Sequence, residues 1–304
     1  MVRLLTACML ATALSGLFMA GCSTGGQTRL ATTPAAPSSC GERFQPGNAT
    51  QQGTPAWIVT PGGLARLKQW GLPAPLLGEF NRPSTLLLVA HGRPVALAPR
   101  ATLAYYFTSA SGLETAVQEH RVPGDVQYLL LDLERWPLTP SGEQLRPIDS
   151  LRRALSIAHS AGKCVVFTPA VDLTATLPNA VGEAARFAQF DRAIAGPGSV
   201  SDVFEVQSQQ TEGTAFATTF APSAIAAVLR SRPGEPVFVG LSTNPDGRHV
   251  TPSDLLTVYH AGAAAGAVGY WLNIPETGVE CPRCGKPQPQ VAVAFLEALA
   301  RGSQ

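Results

Sequence analysis

The segment Tyr128-Leu-Leu-Leu-Asp132-Leu-Glu134-Arg-Trp136-Pro137 carries the pattern best suited to chemistry. Side chains alternate faces along a strand, so Asp132 and Glu134 point one way and Leu131 and Leu133 the other. Two carboxyl groups on one face of an apolar strand repel each other. That repulsion raises one of the two pKa values towards the range of a general acid. The alternative is a structural network in which buried acids are satisfied by hydrogen bonds, with Arg135 as a candidate ion partner. Two more segments are polar on one strand face. In Val203–Gln209 the face carries Glu205, Gln207 and Gln209, whose amides suit sugar hydroxyls or could orient the acid pair. In Gly269-Tyr-Trp271-Leu-Asn273 an indole and an amide share a face. Asp172, in the loop after Cys164–Pro169, is a candidate second carboxylate, and one tyrosine of Tyr105-Tyr106-Phe107 could sit at the mouth of a site.

Other chemistries find less support. The five histidines, His91, His120, His159, His249 and His260, form no metal-ligand spacing, so no metal and no other cofactor is expected. His91 ends a strand and could reach a site, whereas His159 and His260 read as helix surface. No Gly-x-Ser-x-Gly elbow is present, which argues against a serine hydrolase.

The elements that must position these residues are short apolar runs alternating with helical stretches. Strands are expected at Trp57–Thr60, Thr85–His91, Leu103–Thr108, Val126–Glu134, Cys164–Pro169, Val203–Gln209, Pro236–Thr243 and Ala267–Ile274. Helices are expected at Leu64–Trp70, Gly112–Glu119, Pro147–Ala161, Ala180–Ala195, Ala221–Arg230, Pro252–Ala265 and Val291–Ala300. Alternation of this kind implies parallel pairing. Eight strands without a glycine-rich phosphate loop predict a (β/α)8 TIM-type barrel with an irregular first strand. An open doubly wound parallel sheet is the alternative. In a barrel, Asp132 and Glu134 fall at the C-terminal strand ends, where active sites form.

The acid pair and the last strand resemble barrel glycosidases of the chitinase-like and lysozyme-like kinds. Those families carry a strand ending in Asp-x-Glu and a closing strand whose Trp floors the sugar site. The resemblance implies Glu134 as proton donor, Asp132 as its partner and Trp271 as platform, with Trp136, Gln207, Gln209 and Asn273 contacting substrate. It covers these two strands only. The longer aspartate series of the chitinase pattern is replaced by Leu129, Leu130 and Leu131, so the resemblance does not extend to that family's substrate-assisted mechanism. Two functions follow: a glycosidase with Glu134 as general acid, or a barrel that binds a glycan or partner protein without cleaving it.

The N-terminus supplies an address. One basic residue, Arg3, precedes an apolar run that ends in Leu17-Phe-Met-Ala-Gly-Cys22. This is a secretory signal, and its end resembles the bacterial lipobox. The expectation is a signal over 1–21, lipidation at Cys22, a flexible tether over 22–39 and one domain over 40–304. Such a chain would be exported and lipid-anchored at the cell membrane, with a reach of roughly 20–25 Å for a coil of that length. Loss of Arg3 with the signal would leave 21 basic and 21 acidic residues. There is no basic stripe for nucleic acid, and the low charged fraction of 14% favours a neutral ligand. A monomer is expected.

Four cysteines remain, Cys40, Cys164, Cys281 and Cys284, and export favours disulfides. Three complete pairings are open. A bond from Cys281 or Cys284 to Cys40 is favoured, with Cys164 a buried thiol. A redox role for Cys281-Pro-Arg-Cys284 is disfavoured, because Lys286-Pro-Gln-Pro289 replaces the helix that normally follows such a motif.

Overall fold

The computed structural model describes residues 40–44, 54–89 and 96–302. The signal, Cys22, the tether and His91 lie outside them. Eight strands close into a barrel in chain order: β1 (Ala56–Val59), β2 (Leu86–Val89), β3 (Thr102–Phe107), β4 (Tyr128–Leu133), β5 (Cys164–Pro169), β6 (Val203–Val206), β7 (Val237–Ser242) and β8 (Gly269–Asn273). Every neighbouring pair is parallel, and β1 pairs with β8, so the fold is a (β/α)8 barrel. The open sheet is thereby excluded. The first strand is regular, hydrogen-bonded between β2 and β8.

Strand alternation builds two cores. Ile58, Leu88, Ala104, Leu130, Val166 and Trp271 point inward and fill the barrel. Leu87, Leu129, Leu131, Val165, Phe167, Val239 and Leu272 point outward against the helices. The helix Pro147–Ser160 shows how sequence sets that outer layer. Leu151, Ala154, Leu155 and Ala158 recur at helical spacing and are buried. Each fully buried Leu contributes roughly 1.5–3 kcal/mol. Gly162, at φ 68°, lets the chain turn off the helix into β5. Pro252–Ala265 begins with a reciprocal cap: the Thr251 side chain accepts from the Asp254 N–H, and the Asp254 carboxylate accepts from the Thr251 N–H. Two helices of five residues, Ala74–Gly78 and Ser141–Leu145, were not expected from periodicity.

The N-terminal end of the barrel is plugged by residues 40–44. The Phe44 ring packs edge-on against Tyr128 and Phe238, with centroids 5.8 and 5.2 Å away. The Tyr128 hydroxyl donates to the Cys40 carbonyl at 2.6 Å. Arg43 donates to the Pro83 carbonyl at 3.0 Å and to the Gln127 side chain at 2.9 Å.

The disulfides join Cys40 to Cys164 and Cys281 to Cys284. The expected link from Cys40 to Cys281 or Cys284 is therefore wrong, and Cys164 is no free thiol. The reason is the barrel itself. Cys40 lies at the start of β5, whereas Cys281 and Cys284 follow β8 at the opposite end. Strands of this length separate the two ends by roughly 13–20 Å, beyond the reach of about 7 Å between Cα atoms that a disulfide allows. His159 is also corrected: its side chain is buried and bonds the Asp202 carboxylate at 2.8 Å, rather than lying on a helix surface.

Candidate functional site

A cleft of about 620 Å³ opens at the C-terminal end of the strands. Asp132, Glu134, Trp136, Gln207, Gln209, Trp271 and Asn273 all line it. Asp132 is the last inward residue of β4 and is buried. Glu134 lies one residue past the strand and is partly buried. Gln207 and Gln209 lie past β6, which ends at Val206, and Asn273 ends β8.

Asp132 is held from two sides. The Tyr106 hydroxyl on β3 donates to Oδ2 at 2.7 Å, and the Gln207 amide donates to Oδ1. The same amide donates to the Thr168 carbonyl at 2.9 Å. Gln207 therefore orients a carboxylate rather than offering its N–H groups to a ligand. Tyr106 is the tyrosine at the mouth. Its inward position follows from alternation with Ala104, also inside the barrel.

Burial raises the pKa of Asp132, opposed by hydrogen bonds from Tyr106, Thr168 and Gln207. Burial also raises Glu134, and the neighbouring Asp132 and Asp172 charges raise it further. Three donors act on Asp132, whereas Gln207 alone acts on Glu134, so Asp132 loses its proton before Glu134 does. Arg135 is exposed, and its backbone N–H donates to Asp172 at 2.9 Å. It is not the ion partner of the acid pair. Asp172 sits in the 3₁₀ turn Val171–Thr176 at the cleft edge, its pKa raised by burial.

Thr139 organises the loop that carries Glu134 and Trp136. Its hydroxyl accepts from the Trp136 indole at 2.7 Å and from the Glu134 N–H at 3.3 Å, and donates to the Thr108 carbonyl at 2.8 Å. Gln144 donates to the Trp136 and Thr139 carbonyls. Trp136 is thus half-buried with its N–H engaged and a ring face left for stacking.

Beneath the floor the polar groups are not satisfied. Glu205, pointing into the barrel from β6, is fully buried, and neither of its oxygens has a partner. The Gln209 Nε2 and Trp271 Nε1 groups are likewise without acceptors. Gly240 on β7 makes this crowding possible: a Cβ there would lie 2.5 Å from Glu205 Oε1 and 2.9 Å from Gln209 Cγ. Burial, then the Asp132 charge, holds the Glu205 carboxyl well above its ordinary pKa.

The far wall was not foreseen. After β8 the chain runs through residues 274–288 over the cleft. Asn244 donates to the Cys284 carbonyl at 2.8 Å, Arg66 donates to the Ile274 carbonyl at 3.0 Å, and Arg66 and Arg283 pair with Glu276 and Asp246. Together with the Cys281–Cys284 disulfide, these contacts fix Glu280 at the rim. Phe187, stacked on Phe220 with centroids 4.2 Å apart, forms an apolar side. Sequence offered no signal for these, since they come from the segment after β8 and from helices that only closure of the barrel brings together.

The fold and site together define a (β/α)8 barrel with an acid pair at the C-terminal end of its strands. No family model and no curated protein matches the chain. Among solved structures, it is similar to the carboxyl transferase domain of Rhizobium etli pyruvate carboxylase with 3-bromopyruvate. The identity is 11% and the TM-score 0.45, over 88% of this chain and 52% of that one, so this chain spans about half its length. It is also similar to a protein from Bacteroides thetaiotaomicron assigned as an alpha-L-fucosidase, at 9% identity and TM-score 0.45, over 78% of this chain and 86% of that one. At such values these likenesses add nothing to what the closed parallel barrel already establishes.

Proposed function

We propose that this barrel is a glycoside hydrolase in which Glu134 donates a proton to the leaving glycosidic oxygen. One observation carries the reading: Glu134 lines an open cleft beside Asp132, and burial together with the neighbouring acids raises its pKa. A general acid needs both access and a proton near neutral pH. The positive charge that develops on the sugar would be met by Asp132 or Asp172, or by a group of the substrate. The unpartnered N–H groups of Gln209 and Trp271 support a polyhydroxylated ligand, because buried donors without acceptors are costly. Trp136 and Trp271 offer ring faces to sugars, and Asn273 an amide at the rim.

The test is incubation of the purified protein with a panel of envelope polysaccharides, scored by new reducing ends. Glu134→Gln should lose about 10²–10⁴-fold in rate with an unchanged melting curve. Cleavage unaffected by that substitution would remove Glu134 from the role. The second reading, a barrel that binds a glycan without cutting it, draws on the occupied oxygens of Asp132, both held by hydrogen bonds. It predicts binding without new reducing ends.

We further propose that the chain is exported and anchored through a lipid on Cys22. The signal pattern of residues 1–21 supports this, as do the two disulfides, which persist in oxidising compartments. Labelled palmitate should enter the wild-type protein in cells and not Cys22→Ser. Equal labelling of both would contradict the assignment.

A further inference from the structure

The charge of this protein is distributed very unevenly. The chain as a whole carries a formal net charge of +1. The cleft does not share that balance. Arg66 in its wall is neutralised by Glu276, and Asp246 by Arg283. Five more acids line it: Asp132, Glu134, Asp172, Glu183 and Glu280. Among the described residues none of these five has an ion pair, and Arg186 is the one lining cation outside an ion pair. Glu205 lies fully buried under the same floor with both oxygens unpartnered.

A neutral sugar gives such a cleft no reason to concentrate carboxyl groups. Packing acids together costs free energy through mutual repulsion, and low-dielectric walls strengthen the field at the opening. A cation repays that cost. Two features fit a cation carried on a sugar ring rather than a free ion. The Trp271 side chain faces the cleft, 6% exposed, and an aromatic face attracts an ammonium. Its Nε1–H and the Gln209 amide have no acceptor within the protein, and both side chains line the cleft.

We propose that the cleft takes a cationic glycan, a chain of hexosamines with free amino groups, held by Glu183 and Glu280 at the rim and by Asp172 deeper in. The proposal rests on the carbohydrate reading above and narrows it. It departs from the neutral ligand expected from composition, because an average over the whole chain hides a local cluster of acids.

The test is calorimetric titration of the full chain with three oligomers of one length and linkage: glucosamine, N-acetylglucosamine and glucose. At low salt the glucosamine oligomer should bind at least about tenfold more tightly than either of the others, and raising ionic strength should shrink the difference. Glu183→Gln/Glu280→Gln changes two exposed residues, so the fold is safe. It should remove most of the preference while leaving the affinity for the glucose oligomer unchanged. Equal or tighter binding of the neutral oligomers would overturn the cationic proposal and leave the carbohydrate reading standing. A preference that survives the double substitution would also overturn it, by placing the amine elsewhere. Failure of all three oligomers to bind would count against both.

Discussion

The two ends of this barrel bury polar groups in opposite ways. At the N-terminal end most such groups meet a partner, with the Thr85 hydroxyl an exception. Tyr128 donates to Cys40, His159 bonds Asp202, and the same Asp202 carboxylate accepts from the Val165 N–H at 2.8 Å. A disulfide and an aromatic plug close the rest. At the C-terminal end Glu205, Gln209 and Trp271 are left without partners, and carboxyl groups crowd together with little positive charge among them. Both ends belong to one hydrogen-bonded sheet, so the contrast is not one of fold quality. It separates the end that holds the barrel together from the end that is prepared to receive something, as is usual in this architecture.

The contrast breaks most readily at the disulfides. Cys40–Cys164 closes a loop with a sequence separation of 124, whereas Cys281–Cys284 spans a separation of 3. Chain entropy gives about 5 kcal/mol for the first and roughly 2 kcal/mol for the second. Cys40→Ser should therefore lower the unfolding free energy in urea by several kcal/mol. Cys281→Ser should cost less and act chiefly on the cleft, weakening ligand binding. Similar losses of stability from both would show that the ends are not specialised.

Glu205 offers the reverse effect. Replacing its unpartnered carboxyl with the apolar side chain of Glu205→Met should stabilise the protein by about 1–3 kcal/mol, read from the same urea curves. A destabilisation of that size would mean that the carboxyl is satisfied and that the open end is no different from the closed one. A smaller effect concerns pH. Burial holds Asp132, Glu134 and Glu205 at higher pKa in the folded chain than in the unfolded one. The folded state then keeps protons that the unfolded state has shed, so stability falls as pH rises above the ordinary carboxyl range. The melting temperature should decline from about pH 5 to about pH 8, and Glu205→Met should flatten the slope.

Much of the architecture was legible because it is local. Tyr128–Leu133 reads as a strand from its apolar run, and alternation alone places Asp132 inside. Pro147–Ser160 reads as a helix from the spacing of Leu151 and Leu155. Features that depend on closure were not legible. Cys40 could be paired only by knowing at which end of the barrel it lies. The burial of His159 depends on Asp202, 43 residues away. Glu205 could be placed on a polar face, but the room its carboxyl occupies depends on Gly240, on another strand. Ala74–Gly78 is shorter than two helical turns and gives no period to detect. In the site, the residues on or just past strands were readable by type, and the loop-borne Glu280 and the helical Arg186 and Phe187 were not.

The proposed role of Glu134 requires that the open end keep it protonated after Asp132 has ionised. The pH dependence of kcat/KM on a cleaved glycan tests it most directly. Activity should fall on the alkaline side as Glu134 loses its proton, and on the acid side as Asp132 gains one. Asp132→Asn, by removing the neighbouring charge, should move the alkaline fall to lower pH in whatever activity remains. An alkaline fall that comes instead near about pH 4–5, where an ordinary carboxyl ionises, would contradict the account.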